Sequence, residues 1–248
     1  MVQKRKKMEL NKELYHRFQK DGYAFVSSVF SEQDLAEITL LYDDILEKFI
    51  ASGQCKGVYN EELIWVYKPE QFNKSLLQEK YIEKISQLSK YLIGINKQEV
   101  DISCRFFCKP GNTLTGTPWH QDEAYCNPEY THQSLNIWVP LHDVGIKQGC
   151  LKYIPGSHTK GILEHEVVPN SIGGLALRAI DVDSKNAISA ELKVTEVVAH
   201  HCRMLHGSHI NSSNQARKSL VFVCKFPPTK KISYELKPWH KSIQQYWQ

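Results

Sequence analysis

VDISCRFFCK, residues 100–109, alternates in polarity and is rich in β-branched and aromatic side chains, the pattern of a strand with two unlike faces. Four more segments of this kind follow: LNIWVPL (135–141), CLKYIPGS (150–157), LKVTEVVAH (192–200) and KSLVFVCKF (218–226). Short strands separated by turns point to a closed or double-sheet antiparallel structure, and a jelly roll is the natural candidate. The first third of the chain reads differently. Ser31 with Asp34 forms an N-terminal capping pattern, and Leu35, Ile38, Leu41, Tyr42, Ile45, Leu46 and Phe49 recur at helical spacing. A second helix is expected over 81–93, ended by Gly94. DGYAFVSSVF (21–30) and a run within 57–72 read as short strands. The expected class is mixed α+β, β-dominated, with a double-stranded β-helix (jelly-roll) core flanked by N-terminal helices.

The bulk numbers narrow the function. A chain of 248 residues, 42% hydrophobic and 23% charged, suits one globular domain spanning 1–248. The net charge of +4 is modest, and no basic face interleaves with aromatics, so no nucleic-acid partner is expected. Basic residues cluster only at Lys4, Arg5, Lys6 and Lys7, and residues 1–14 are read as a flexible terminus. No stretch approaches the roughly 20 apolar residues of a membrane span, and no apolar segment follows the basic start. The expectation is a cytoplasmic protein without a membrane partner. Seven cysteines, an odd count without CxxC spacing, argue against a disulfide scaffold or a zinc knuckle. The less regular stretch 163–191, containing Gly173 and Gly174, is read as a long insertion near the site.

The chemistry concentrates in PWHQDEAYCN (118–127). In an extended segment His120 and Asp122, two residues apart, share a face. An imidazole beside a carboxylate forms two thirds of a facial triad for non-haem iron. The third ligand is sought in HHCRMLHGSHINSSNQARKSLVFV (200–223), where Asn211, Ser212, Ser213 and Asn214 read as a turn between two strands. A hairpin centred at 212–213 would set Ser208 opposite Arg217 and His206 opposite Ser219, all on one face. Arginine's planar fork there would grip a carboxylate. A slip of one residue would present His209 instead. On the residues alone His206 competes with His200, His201, His209 and His158.

WHQD (119–122), GCLKYIPGSH (149–158), LHGSHINSSNQAR (205–217) and the opening DGYAFVSSVFSEQDL (21–35) together resemble the phytanoyl-CoA dioxygenase family of iron(II)- and 2-oxoglutarate-dependent oxygenases. The resemblance implies Fe(II), with 2-oxoglutarate and O2 as cosubstrates. It implies His120, Asp122 and His206 as metal ligands, Arg217 and Ser208 at the far carboxylate of 2-oxoglutarate, Trp138 lining that pocket, and Lys68 as a further basic contact. His158, in the PGSH marker, is taken as structural. Halogenating relatives replace the carboxylate ligand by a small residue; Asp122 is retained, which favours hydroxylation or another oxidation. Desaturation, epoxidation and ring closure use the same centre, and a cupin-like binding protein without turnover is the rival outside enzymology. Gln121, Glu123, Tyr125 and Gln133 flank the metal pair and are the expected contacts to a small-molecule substrate. The chain is expected as a monomer or homodimer.

Overall fold

In the computed structural model, residues 8–53, 57–58, 63–169, 171 and 176–247 are described. A large antiparallel sheet is built from β1 (Tyr23–Ser27), β2 (Gly57–Val58), β3 (Leu63–Val66), β4 (Asp101–Lys109), β6 (Ser134–Pro140), β11 (Glu196–His201) and β13 (Arg217–Lys225). Its strand order is β1-β11-β6-β13-β4-β3-β2. A smaller sheet faces it, with β7 (Leu151–Tyr153) between β10 (Ile188–Ala190) and β12 (His206–Ser208). A single bridge between His120 and His206 adds the 120 segment to the free edge of β12. Two strand pairs complete the set: β5 (Tyr130–Thr131) with β14 (Thr229–Lys230), and β8 (His165–Val167) with β9 (Leu177–Ala179).

The two-residue period of the central strands divides the interior in two. On β13, Leu220, Phe222 and Cys224 join one core with Leu135, Ile137 and Val139 of β6, whereas Val221, Val223 and Trp138 join the other. The first core is closed by α2 (Glu32–Ala51) and α3 (Glu79–Ile93), which contribute Ile38, Tyr42, Ile45, Tyr81, Ile85, Leu88 and Leu92. The second lies between the sheets, where Leu151, Tyr153 and Met204 meet the large sheet. Each large apolar side chain buried this way stabilises the fold by roughly 1.5–3 kcal/mol. The barrel side of the large sheet carries the polar exceptions: Asn136, His200, Lys109, Arg217 and Ser219 are all buried.

The helix ends follow from their sequences. Ser31 and Asp34 make a reciprocal capping box at the start of α2, and Gly94 closes α3 at φ 81°. Two expectations are corrected. The terminus is not irregular through residue 14: Asn11 caps α1 (Lys12–Asp21), its side chain accepting from the Leu14 N–H. Residues 1–7, with the basic run, lie outside the described residues. Nor do β12 and β13 form a hairpin. The chain crosses between sheets after Ser208, so β12 pairs with β7 while β13 pairs with β4 and β6. The 163–191 stretch contains β8, β9 and β10, and Gly173 and Gly174 lie outside the described residues.

Candidate active site

His206 stands on β12, between β7 and the segment that carries His120. The backbones of His120 and His206 exchange both hydrogen bonds, at 2.9 and 3.0 Å. The neighbour of His206 makes this approach possible: a Cβ on Gly207 would fall 2.7 Å from the Thr117 carbonyl oxygen. Asp122 follows one extended residue later, at the start of a 3-10 turn, Asp122–Tyr125. One ligand atom from each of His120, Asp122 and His206 lies within 4.8 Å of the others. The Nε2 atoms of His120 and His206 are each 3.8 Å from an Asp122 carboxylate oxygen.

The imidazoles are prepared as neutral ligands. His120 Nδ1 lies 2.9 Å from the Pro118 carbonyl and His206 Nδ1 2.9 Å from the Met204 carbonyl. A carbonyl only accepts, so Nδ1 carries the proton and Nε2 keeps its lone pair for a metal. Burial lowers both imidazoles to a pKa of about 4. Burial alone would raise Asp122, but the neighbouring imidazoles of His206, His200 and His120 outweigh it and hold the carboxyl well below its usual range. Asn136 Nδ2 donates to Asp122 Oδ2 at 2.7 Å, and His200 Nε2, on the adjacent strand, lies 3.4 Å from the same oxygen without a hydrogen-bond partner among the described residues. Asn136 and His200 are register partners across β6 and β11, and Tyr153 Oη holds the other His200 nitrogen at 3.0 Å. Two imidazoles and one carboxylate are the donor set of the non-haem iron facial triad, so these residues fit iron(II).

Deeper in the barrel, Arg217 is 3% exposed and spans from the Gly149 carbonyl, 2.7 Å from Nη1, to the face of Trp138, 5.5 Å from Cζ. Its Nε is buried without a hydrogen-bond partner, and no carboxylate pairs with it among the described residues. Burial lowers its pKa to about 10, which leaves it charged at neutral pH. A buried guanidinium with a free N–H edge fits an anionic cosubstrate. Lys109 is the register partner of Arg217 and is 2% exposed. Its Nζ donates to Ser208 Oγ at 3.0 Å and to the His209 carbonyl at 3.1 Å.

Not every residue singled out in the sequence gathers here. Lys68 is exposed, lies over the Tyr67 ring at 5.6 Å and makes no described contact with this cluster; the buried lysine is Lys109. Alternation along β4, which puts Lys109 on the face of Arg105 and Phe107, is the signal that could have found it. Ser208 meets Lys109 and Thr117 rather than Arg217. Gln121 and Glu123 point away from the cluster, as alternation requires of residues beside His120 and Asp122. Gln121 is fully buried, bonded to the carbonyls of Gly161 and Arg203 and to the Leu163 N–H. Glu123 accepts two hydrogen bonds from Arg203, at 2.8 and 2.9 Å. Gln133 is exposed. Of these four, only Tyr125 approaches the metal residues, its ring edge-on to His120 with centroids 6.4 Å apart. Its hydroxyl accepts from the Leu177 N–H at 2.7 Å.

Two outcomes follow. Glu123→Ala removes two charge-assisted hydrogen bonds and leaves the half-buried Arg203 charge without its partner, and is expected to cost about 2–3 kcal/mol. A fall in melting temperature with unchanged iron affinity checks it; a change in substrate preference at full stability contradicts it. The second concerns acid. His120, His165, His201 and His206 are all lowered by burial from 6.5 to about 4. The unfolded chain therefore binds more protons between those values. The metal-free protein keeps this stability above about pH 6.5 and loses it as pH falls towards 4, by up to about 1.4 kcal/mol per pH unit for each histidine. Urea midpoints measured from pH 7 to 5 test the trend, and a flat profile rejects it.

The barrel has the double-stranded β-helix fold of a class of proteins that includes a solved 2-oxoglutarate complex. EvdO2 from Micromonospora carbonacea var. aurantiaca, solved with 2-oxoglutarate, superposes with a TM-score of 0.82 at 25% identity, covering 93% of this chain and 97% of that one. Within the class the chain belongs to the phytanoyl-CoA dioxygenase family, whose model matches residues 18–219. It is 31% identical over 144 residues to phytanoyl-CoA dioxygenase domain-containing protein 1 of Danio rerio, covering 56% of this chain and 48% of that protein. It is 27% identical over 215 residues to a probable alpha-ketoglutarate-dependent hypophosphite dioxygenase of Stutzerimonas stutzeri, covering 81% and 73%. The chain spans about half the length of the first curated relatives it matches. No helix among the described residues is long and apolar enough to cross a membrane.

Proposed function

We propose that this protein is an iron(II)- and 2-oxoglutarate-dependent dioxygenase that hydroxylates an unactivated C–H bond of a small-molecule metabolite, with succinate and carbon dioxide as co-products. The observation that carries the reading is the meeting of His120, Asp122 and His206 within 4.8 Å, in the same barrel as a buried arginine whose Nε lacks an acceptor. His120, Asp122 and His206 would hold the iron, and Arg217 the far carboxylate of 2-oxoglutarate. Bound iron with 2-oxoglutarate and dioxygen supplies the oxidising power for the C–H bond. The chain's own work is orientation. Carbonyls of Pro118 and Met204 fix the imidazole tautomers, Asn136 and His200 set the Asp122 carboxylate, and Trp138 backs the Arg217 plane.

The retained carboxylate at 122 supports oxygen insertion over halogenation. Incubation of the iron-loaded protein with 2-oxoglutarate and a panel of small metabolites tests the reading by product mass. A gain of one oxygen atom, matched by succinate, supports hydroxylation. Loss of two hydrogens with equal succinate replaces it by desaturation or ring closure. No succinate with any substrate, in a protein that binds iron, supports the binding-protein alternative.

A further inference from the structure

A third cation, after Arg217 and Lys109, faces the barrel. Arg105 lies on β4 four residues before Lys109, with its side chain on the same face. Val221 of β13 is the register partner of both Arg105 and Trp138, so these three residues form one row across the sheet. The next row is Ser103, Val223 and Asn136, and Asn136 holds Asp122. Arg105 is therefore one row from the residue that holds Asp122 and two strands from Trp138, roughly 10 Å. Its charge is also felt at Cys126, just past the turn that begins at Asp122.

The surroundings of Arg105 are built around its flat faces. Its Cζ is 6.0 Å from the ring centre of Trp65 and 5.6 Å from that of Tyr67, and Trp65 is stacked on Phe107 at an interplanar angle of 3°. Stacking of this kind fixes a guanidinium and leaves its N–H edge for acceptors in the plane. Arg105 Nε and the neighbouring Trp65 Nε1 are both buried without a hydrogen-bond partner among the described residues. No acid there pairs with Arg105. Glu70, on the turn after β3, acts instead on Cys104, which faces the helices. Two adjacent N–H donors left unsatisfied beside a positive charge carry a cost that a bound oxyanion removes.

We propose that Arg105 and the Trp65 N–H form the recognition site for an anionic group, a carboxylate or phosphate, on the substrate that is oxidised. The inference rests on the oxygenase reading above and names the substrate class for the same site. The far carboxylate of the cosubstrate is assigned to Arg217, and the 2-oxoglutarate affinity of Arg105 variants separates a substrate anion from the cosubstrate's other carboxylate. Substrate and cosubstrate would then be gripped by separate cations, Arg105 and Arg217.

The test uses inorganic phosphate and propionate as probes, titrated calorimetrically into the protein loaded with iron(II) and 2-oxoglutarate under anaerobic conditions. Wild type is expected to bind at least one probe in the millimolar range. Arg105→Ala should weaken that binding at least tenfold, Arg105→Lys should restore part of it, and Trp65→Phe, which keeps the stacking and removes the N–H, should weaken it several-fold. The affinity for 2-oxoglutarate should stay within twofold in all three variants, with unchanged melting temperatures. Binding of neither probe by wild type, equal binding by Arg105→Ala, or a tenfold loss of 2-oxoglutarate affinity in that variant each overturns the proposal. Failure of the loaded complex to form defeats the oxygenase reading instead.

Discussion

His206→Ala is expected to abolish iron(II) binding and to lower turnover by at least about a thousandfold, equivalent to about 4 kcal/mol in the barrier. The size follows from the position. The strand pairing that brings His206 to His120 uses backbone atoms, so the alanine variant should fold with Asp122 and His120 still in place. Two donors would remain of a three-donor set, and a metal held by one imidazole and one carboxylate is readily lost to solvent. His200→Ala is the informative contrast. His200 touches the Asp122 carboxylate but is not one of the three converging donors, and loss of such a supporting contact typically costs about 10–100-fold. A larger loss of iron binding in His200→Ala than in His206→Ala would show that His200, not His206, completes the donor set.

The second large effect is expected at Arg217. Removing its guanidinium deletes a charge-assisted pair worth about 2–3 kcal/mol, so Arg217→Ala should weaken 2-oxoglutarate binding by about 30–150-fold. Iron binding, read separately, should persist. Arg217→Lys should rescue little, because an ammonium cannot reproduce both the stacking on Trp138 and the bond to the Gly149 carbonyl. Lys109, the register partner, leaves some positive charge in the pocket and should keep the loss finite. Unchanged affinity in Arg217→Ala would move the anchor to Lys109.

Much of this was legible in the chain because strands and helices announce themselves by period. Leu220, Phe222 and Cys224 face the helices and Val221 and Val223 the barrel, as alternation demands, and Ser31, Asp34 and Gly94 mark helix ends. Period alone does not say which sheet a strand joins. Residues 206–217 therefore read as a hairpin, whereas the jelly roll sends β12 and β13 to opposite sheets. His206, Ser208 and Arg217 are buried in the barrel because two sheets face each other, not because one ladder aligns them. Proximity in sequence misled in a different way. Gln121 and Glu123 adjoin the metal pair yet lie on the other side of the segment, where they fasten it to Gly161, Leu163 and Arg203. Lys109 was missed although alternation along β4 puts it on the barrel face with Arg105 and Phe107, because the composition of a strand end does not say that its lysine is buried.

His120, Asp122 and His206 are expected to hold an iron to which 2-oxoglutarate binds. Anaerobic titration of the metal-free protein with iron(II) and then 2-oxoglutarate, followed by visible absorption, tests it most directly. A weak charge-transfer band is expected, saturating at one equivalent of each and absent from His206→Ala. A folded wild-type protein that never develops the band, or a His206→Ala variant that develops it in full, would rule out this iron centre.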